Sequence, residues 1–531
     1  MSTNYIRPDV YPYASRRSEV FAENMVASSQ PLAVAAGIQM LREGGNAVDA
    51  ALACAIALTV IEPASNSIGG DAFAIIYADG KLHGFNGSGK SPQAWTPERF
   101  AGLDEIPQRG WEAITVPGAV DTWMQLSSKF GRLEFLTLFE PAIHYARHGF
   151  PVAPVMHRQW QDAIASHGDL QGFRDTFTLN GSAPDLGQKF CCPDQANTFE
   201  KIASSAGESF YRGELAEKII ADSDRHNGAM TLQDLASHKG QFVQPISQQY
   251  RNLSVHEIPP GGQGIGALIA LGILDRLEIE KFQPDSLDSL HIQIEAVKIA
   301  LEDLARHISD PATMQISPQE LLSSDRLDRL AAEIDPHNAR QVNITYESDH
   351  GTVYLATADS EGMMVSMIQS NYDGFGSGIV VPETGINMQN RGRGFNLIPG
   401  HPNQVAGGKY PFHTIIPGFL MQGGEPLGPF GIMGAHIQTQ AQTQFVIRVS
   451  SFGQSPQAAL DAPRWFISPD FKLATEPGIS NKIVEGLQSK GHLFDQEISW
   501  SKFGGGQAIF KHGNVYRGAS DPRKDGLAMG F

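Results

Sequence analysis

The sequence predicts an α+β protein on three observations. Between residues 31 and 61 the apolar side chains fill helical positions in two runs separated by Gly44-Gly45. From about 130 to 335 the pattern stays mostly helical, as in 136–148 and 287–307. From Thr352 onward it changes to short β-rich runs divided by glycine-containing turns.

Each element has a local reason. The run 31–41 is followed by a Gly-Gly stop and by Asn46, a residue type that caps the next helix, 46–61. That second helix is alanine-rich and apolar on nearly every face, which predicts burial on all sides. Gly69-Gly70-Asp71 leads into a strand at 72–77, and Asp79-Gly80 turns it into a hairpin partner at 81–85. Loops are expected at Asn180-Gly181 and at Pro259-Pro260-Gly261-Gly262. In the last third, 352–358 and 363–369 read as strands around a turn at 359–362. The runs 412–421 and 445–449 also read as strands, and a helix is expected from His436.

Composition bounds the function. With 531 residues, 41% hydrophobic and 18% charged, the chain can bury a large core. Its net charge of −17 opposes nucleic-acid binding, which depends on neutralising phosphates. Residues 352–531 hold 13 acidic and 13 basic side chains, so the first 351 residues carry the whole excess, as two domains or two chains would. Three cysteines, two of them adjacent, offer no disulfide framework and no metal spacing, so reduced thiols and no structural metal are expected. The first 21 residues lack a basic start followed by an apolar stretch, and a cytoplasmic location is the expectation. The longest uncharged apolar run, 50–61, is well short of the roughly 20 residues that span a bilayer, so no membrane association is expected.

Three segments carry chemistry. Gly351-Thr352 sits at a strand entrance, where such a pair is ordinarily a turn exit. It acquires a function if the Thr352 hydroxyl attacks the Gly351 carbonyl, cuts the chain and frees the Thr352 α-amine to act as base for its own hydroxyl. Gly431-Ile432-Met433-Gly434-Ala435 is a small-residue turn able to present backbone N–H groups to an oxyanion. Gly262, Gly264 and Ala267 fit a GxGxxA fingerprint after a strand-like 253–258, which supports a rival reading as a dinucleotide-binding oxidoreductase that would bind NAD or FAD. Pro259-Pro260 and the lack of a second βαβ unit weigh against it. Seventeen histidines occur without HExxH, HxH or Cys-His ligand spacing, and neither GxSxG nor a Walker A motif is present.

Ordered blocks along nearly the whole chain resemble the gamma-glutamyltranspeptidase family. They run from Met25-Val-Ala-Ser-Ser-Gln-Pro-Leu-Ala33 and Gly44-Gly-Asn-Ala-Val-Asp-Ala-Ala51 through Glu62-Pro63, Gly69-Gly70, Pro117-Gly118, Pro141-Ala142, Pro259-Pro260 and Phe375-Gly-Ser-Gly-Ile379 to Gly518-Ala-Ser-Asp-Pro-Arg523. The resemblance implies an N-terminal-nucleophile hydrolase fold, a four-layer αββα sandwich made as a precursor that cuts itself. The large subunit would be 1–351 and the small subunit 352–531, with Gly351 and Thr352 as the processing pair. It implies Thr352 as nucleophile, Ser370 as an assisting hydroxyl, and Gly434 with Ala435 at the oxyanion hole, with no cofactor and no metal. The family's second threonine is Val353 here.

The substrate grips depart from the family's pattern. Its carboxylate-binding arginine is matched by Ser88 within Asn86-Gly-Ser-Gly-Lys-Ser-Pro92, its amine-binding aspartate by Gly394, and its paired serines by His413 and Thr414. Arg391 and His413 offer another hold on an anion, while Asn371 and Tyr372 would shape the pocket. Arg391 paired with an acidic loop and His413 satisfied in the interior are the structural alternatives. The expected partners are a small-molecule amide and the two chains of one precursor, with homo-oligomers left open.

Gamma-glutamyl amides are the first substrate expectation, through an acyl-enzyme that water or an amine resolves by hydrolysis or transfer. The alternatives are an amidohydrolase of another small anionic amide, oxamate-like, or an acylase. A descendant that never cuts itself and only binds is a further alternative.

Overall fold

The computed structural model describes residues 17–342, 351–495 and 500–531. Helix α1, Pro31–Arg42, and helix α2, Ala47–Ile61, form the expected hairpin. Asn46 caps α2 by accepting from Val48 N and Asp49 N, while the Asp49 carboxylate accepts from Asn46 N, a reciprocal capping box. All 15 residues of α2 are buried, which its alanine content permits by allowing close approach on every side.

Two seven-stranded antiparallel sheets lie behind this hairpin. The strands in chain order are β1 Val20–Ala22, β2 Met25–Ser28, β3 Asp71–Ala78, β4 Lys81–Asn86, β5 Gln241–Val243, β6 Ile246–Tyr250 and β7 Leu253–Glu257. They continue with β8 Val353–Ala358, β9 Met364–Ser370, β10 Gly418–Gln422, β11 Glu425–Met433, β12 Gly505–His512, β13 Val515–Ser520 and β14 Leu527–Gly530. One sheet runs β14-β2-β8-β9-β3-β4-β5 and the other β1-β13-β12-β11-β10-β7-β6.

The layers follow from which faces are apolar. Residues of α1 and α2 pack with Val353, Leu355, Val365 and Met367 on the outer face of the first sheet. The two sheets meet through Phe73, Ile75, Tyr354, Ile368, Phe419, Met433 and Ile509. Helices α3 Gly264–Leu274, α4 Leu287–His307 and α5 Ile437–Ser450 cover the outer face of the second sheet. This is the αββα order of layers that the resemblance implies. Strands from both sides of Gly351 contribute to both sheets, so the two portions share one body instead of folding as separate domains.

Several expectations change. The run 445–449, read as a strand, lies inside α5, where Ile437 through Arg448 are all buried. A short β-branched apolar run inside a helix buried all round carries no periodicity that separates it from a buried strand, and the helix's alternate residues 438, 440, 442 and 444 are glutamines. Two of them, Gln440 and Gln444, bond the backbone of strand Trp465–Ile467. The strand read over 412–421 is confined to β10, because the chain from Phe412 to Pro417 passes the site described below. The helix read over 136–148 splits into a 3₁₀ turn, Phe135–Phe139, and a helix, Glu140–His148, with Pro141 in its first turn. Five strands interrupt the helical middle: the short pair Phe150–Pro151 and Lys189–Phe190, and β5 to β7, which close one end of each large sheet.

The dinucleotide reading fails on topology. Strand β7 does lead through Gly262 into α3, but both of its neighbours, β6 and β10, are antiparallel, so no βαβ unit exists there. The glycine loop is also closed, since Gln263 N donates to His413 O and a Cβ at Gly264 would meet the Glu257 carboxyl at 2.8 Å. Cys54 and Cys192 are buried, Cys191 is exposed, and all three are free. Among the described residues no helix is long and apolar enough to cross a membrane.

Candidate active site

The site is built where β8 begins and its hairpin partner β9 ends. Antiparallel register sets Val353 opposite Gln369 and Ser370 opposite Asp71, which brings the residues flanking the two strand ends together. Thr352, 3% exposed, places Oγ1 2.7 Å from the Gly351 carbonyl oxygen and 3.4 Å from Ser370 Oγ. Ser370 Oγ donates to the same carbonyl at 2.5 Å while accepting from Tyr372 N at 2.8 Å. A hydroxyl and a serine therefore converge on the Gly351 carbonyl. The close packing needs glycine at 70, where a Cβ would stand 2.4 Å from Ser370 O.

Arg391 lies fully buried beneath this pair. It donates Nη2–H to Ser370 Oγ at 3.0 Å and Nη1–H to Thr414 Oγ1 at 2.9 Å, and the Tyr372 ring covers its Cζ at 4.6 Å. Its Nε–H finds no acceptor, and no carboxylate among the described residues lies within ion-pair distance. Burial pulls its pKa down to about 10 against the opposing pull of Asp71. The acidic-loop alternative for Arg391 is not what the fold contains: Arg393, two residues on, is the one that pairs with Glu105.

His413 is an interior residue in contact with the cluster. Ile415 N donates to Nδ1, so Nε2 carries the proton and donates to Asp71 Oδ2 at 3.1 Å. Burial, with Arg391 second, holds the ring well below its ordinary pKa and therefore neutral. Asp71 also accepts from Gly118 N at 3.0 Å and Gln389 Nε2 at 3.1 Å, while burial pushes its own pKa up to about 7. A neutral histidine is not an anion hold, so of the two groups proposed for that task only Arg391 carries charge.

The remaining expected residues surround this centre. Asn371 gives Nδ2 to the carbonyls of Pro63 and Ala64 and keeps Oδ1 without a partner. Ser88 is buried beside Gly89, whose N–H reaches Asp71, and its own Oγ has no partner. Gly434 and Ala435 leave β11 with φ of +125° and +58°, and Gln263 Nε2 holds the Ala435 carbonyl at 2.9 Å. The same Nε2 reaches the Thr414 carbonyl, tying the turn to the segment that carries His413. Gly394 places no side chain at the site, and its Cβ position is filled by Phe412 O at 2.3 Å.

Sequence reasoning missed Asp71, Gln389 and Gln263. Asp71 had one signal, a carboxylate opening a strand buried at seven of its eight positions. Gln389 and Gln263 had none, because their partners are remote in sequence.

A second polar cluster lies away from this site. His291 and Glu295 on α4 and His492 bring ligand atoms within 4.8 Å of one another, an arrangement that spacing alone could not reveal. Lys298 Nζ already occupies the place of a cation, 3.0 Å from Glu295 Oε1 and 3.1 Å from His492 Nδ1.

The chain is 34% identical over 529 residues to the glutathione hydrolase-like YwrD proenzyme of Bacillus subtilis, covering 97% of this chain and 100% of that one. It is 33% identical over 528 residues to the oxamate amidohydrolase proenzyme of Klebsiella pneumoniae, covering 97% and 99%. The crystal structure of a cephalosporin acylase from Bacillus halodurans superposes with a TM-score of 0.94 at 45% identity over 99% of both chains. The gamma-glutamyltranspeptidase family model matches residues 33–531, and the chain belongs to that family.

Proposed function

We propose that this protein is a self-processing amide hydrolase whose nucleophile is Thr352 and whose preferred acyl group carries a carboxylate held by Arg391. The observation that carries the reading is the convergence of Thr352 Oγ1 and Ser370 Oγ on the Gly351 carbonyl, with the buried Arg391 guanidinium, free of any carboxylate partner among the described residues, donating to Ser370 Oγ behind them.

In processing, Thr352 Oγ1 attacks the Gly351 carbonyl carbon while the Ser370 hydroxyl stabilises the charge growing on its oxygen. The Gly351–Thr352 C–N bond breaks as the nitrogen takes a proton. Water then hydrolyses the resulting ester, leaving a Gly351 carboxylate and a free Thr352 α-amine. An α-amine titrates near about 7.7–8.0, well placed to take the hydroxyl proton at neutral pH. In turnover Thr352 Oγ1 attacks the substrate amide, with the backbone N–H groups at Gly434 and Ala435 as the proposed oxyanion donors. The amine leaves and water releases the acid; an amine acceptor in place of water would give transfer.

The altered grips favour a small anionic acyl group. Ser88 and Gly394 bring no charge, so nothing there would hold both the α-amine and the α-carboxylate of a glutamyl group, whereas Arg391 retains three N–H groups beyond those given to Ser370 and Thr414. Two relatives named as an oxamate amidohydrolase and a cephalosporin acylase support amide chemistry beyond gamma-glutamyl substrates. Gamma-glutamyl amides are the second reading, favoured by the glutathione hydrolase-like relative.

The test pairs intact mass with turnover. The 57.5 kDa chain should yield pieces of about 38 and 19 kDa, scaled from chain length, the smaller beginning with threonine, and Thr352→Ala should stay whole. The processed enzyme should hydrolyse short ω-carboxyl amides faster than gamma-glutamyl anilides. An uncut wild-type chain that hydrolyses neither would overturn the proposal.

A further inference from the structure

Lys524 lies at the same end of the two sheets as Thr352, and the reaction described above gives it no task. Strand register places it there. In the first sheet Ser28 faces both Leu355 and Leu527, so β14 begins at the end where β8 begins. In the second sheet Gly505 opens β12 opposite Met433, the last residue of β11, which adjoins Gly434. The stem of Lys524 runs across Gly505, where a Cβ would stand 2.5 Å from its Cγ and 3.2 Å from its Cε. Gly504 packs in turn against Gly434, whose Cβ position meets Gly504 Cα at 2.9 Å.

Strand order gives the direction. The first sheet runs β14-β2-β8-β9-β3, so Thr352 has Ser370 and Asp71, with Arg391, on one flank and Lys524 on the other. Resting on the reading in which Arg391 holds the acyl carboxylate and Thr352 attacks the carbonyl, we propose that Lys524 is a second anion subsite. It binds a carboxylate on the leaving amine, so the preferred substrates are amides of amino acids. An amide with its acyl carboxylate at Arg391 and its carbonyl at Thr352 carries its nitrogen toward β14. That strand is two away from β8, about 10 Å. Lys524 extends inward from it, so the group it meets lies a few bonds beyond the nitrogen, where an amino acid has its carboxylate.

The turn that carries Lys524 is pinned while its ammonium is free. Lys524 O accepts from Arg17 Nη2 at 3.0 Å. The Asp525 carboxylate accepts from Val155 N at 3.0 Å, at the start of helix Pro154–His167. Among the described residues the half-buried Lys524 Nζ has no hydrogen bond and no carboxylate within ion-pair distance. Glu62 is pushed up to about 7 by burial, with Lys524 the chief opposing influence, so near neutral pH it carries only part of a charge. A substrate carboxylate would therefore gain a charge-assisted hydrogen bond from an ammonium that no protein group has claimed.

The test uses a succinyl group as the amide of glycine, of glycinamide and of ethylamine. We expect kcat/KM on the order of 10-fold higher for the glycine conjugate than for the other two. Lys524→Met keeps the stem over Gly505 and removes the charge, so it should bring that ratio to about one, and Lys524→Arg should restore most of it. A merely structural role would leave the ratio unmoved. Calorimetric binding to the purified wild-type protein gives a readout without turnover, using analogues in which an ether linkage replaces the amide. The dicarboxylate ether should bind about 10-fold tighter than its glycinamide counterpart, and Lys524→Met should bind the two equally. Equal kcat/KM for the glycine and glycinamide conjugates, or a preference that Lys524→Met leaves intact, would overturn the subsite and leave the hydrolase reading standing. Hydrolysis of none, with an ether preference that Lys524→Met removes, would refute the hydrolase reading while supporting Lys524 as an anion site. Hydrolysis of none with no ether preference would overturn both.

Discussion

Arg391 is the position where the functional reading can be broken with least ambiguity. It stands buried beside Ser370 with Nε–H unpartnered and no carboxylate within ion-pair distance among the described residues. A substrate carboxylate bound there would accept two charge-assisted hydrogen bonds, each contributing about 1.5–3 kcal/mol. At about 1.4 kcal/mol per decade, Arg391→Met should lower kcat/KM by about 10²- to 10⁴-fold on amides whose acyl group carries a carboxylate. Arg391→Lys keeps the charge but loses the planar fork, so its loss should fall between wild type and Met. Folding has its own share, because Asp71 loses the nearby positive charge that lowers its pKa. The assay is therefore kcat/KM per mole of the 19 kDa piece, on matched amides with and without the acyl carboxylate. A loss confined to the carboxylate-bearing set is expected. An equal loss on neutral amides would show that Arg391 only supports Ser370, and the anion-holding role would be wrong.

Four further outcomes follow from the same structure. Gly70→Ala should block self-cleavage, since its Cβ would press against Ser370 O at 2.4 Å; normal appearance of two pieces by intact mass would contradict this. Ala435→Gly keeps the backbone N–H and relieves a left-handed φ of +58°, so turnover should stay within about twofold and Tm should not fall; a tenfold loss would implicate the methyl group. Glu257 is buried with neither carboxyl oxygen partnered, and burial raises its pKa well above the ordinary 4.5. The native state thus binds more protons than the unfolded chain, so this stability is present below about 4.5 and is lost as pH rises toward the folded value, at about 1.4 kcal/mol per pH unit. Glu257→Gln should therefore gain Tm over wild type progressively as pH rises above about 4.5, and a constant offset would refute the assignment. Asp49→Ala removes the acceptor for Asn46 N, Arg132 N and Leu133 N and should cost about 3 kcal/mol in urea unfolding; a change under about 1 kcal/mol would mean that water replaces the carboxylate.

What the sequence determined by itself was local. Asn46 before an alanine-rich run specifies a capped, fully buried helix, because the cap and the small side chains act within a few residues. Asp79-Gly80 specifies the β3–β4 hairpin for the same reason, and the ordered family blocks predict the order of the layers. Apolar runs without alternation were ambiguous, and 445–449 was misread because a helix buried all round looks like a buried strand.

Tertiary structure alone decided the charge state and company of the site. His413 looked like an anion hold until Asp71, 342 positions away, was found accepting its Nε2–H in an interior that keeps the ring neutral. Arg391 looked equally able to pair with an acidic loop, and only the packing shows Arg393 taking that role while Arg391 is left unpaired beneath Ser370. Side-chain identity sets which charges a residue can carry, but burial and partners brought from distant strands set which one it does carry.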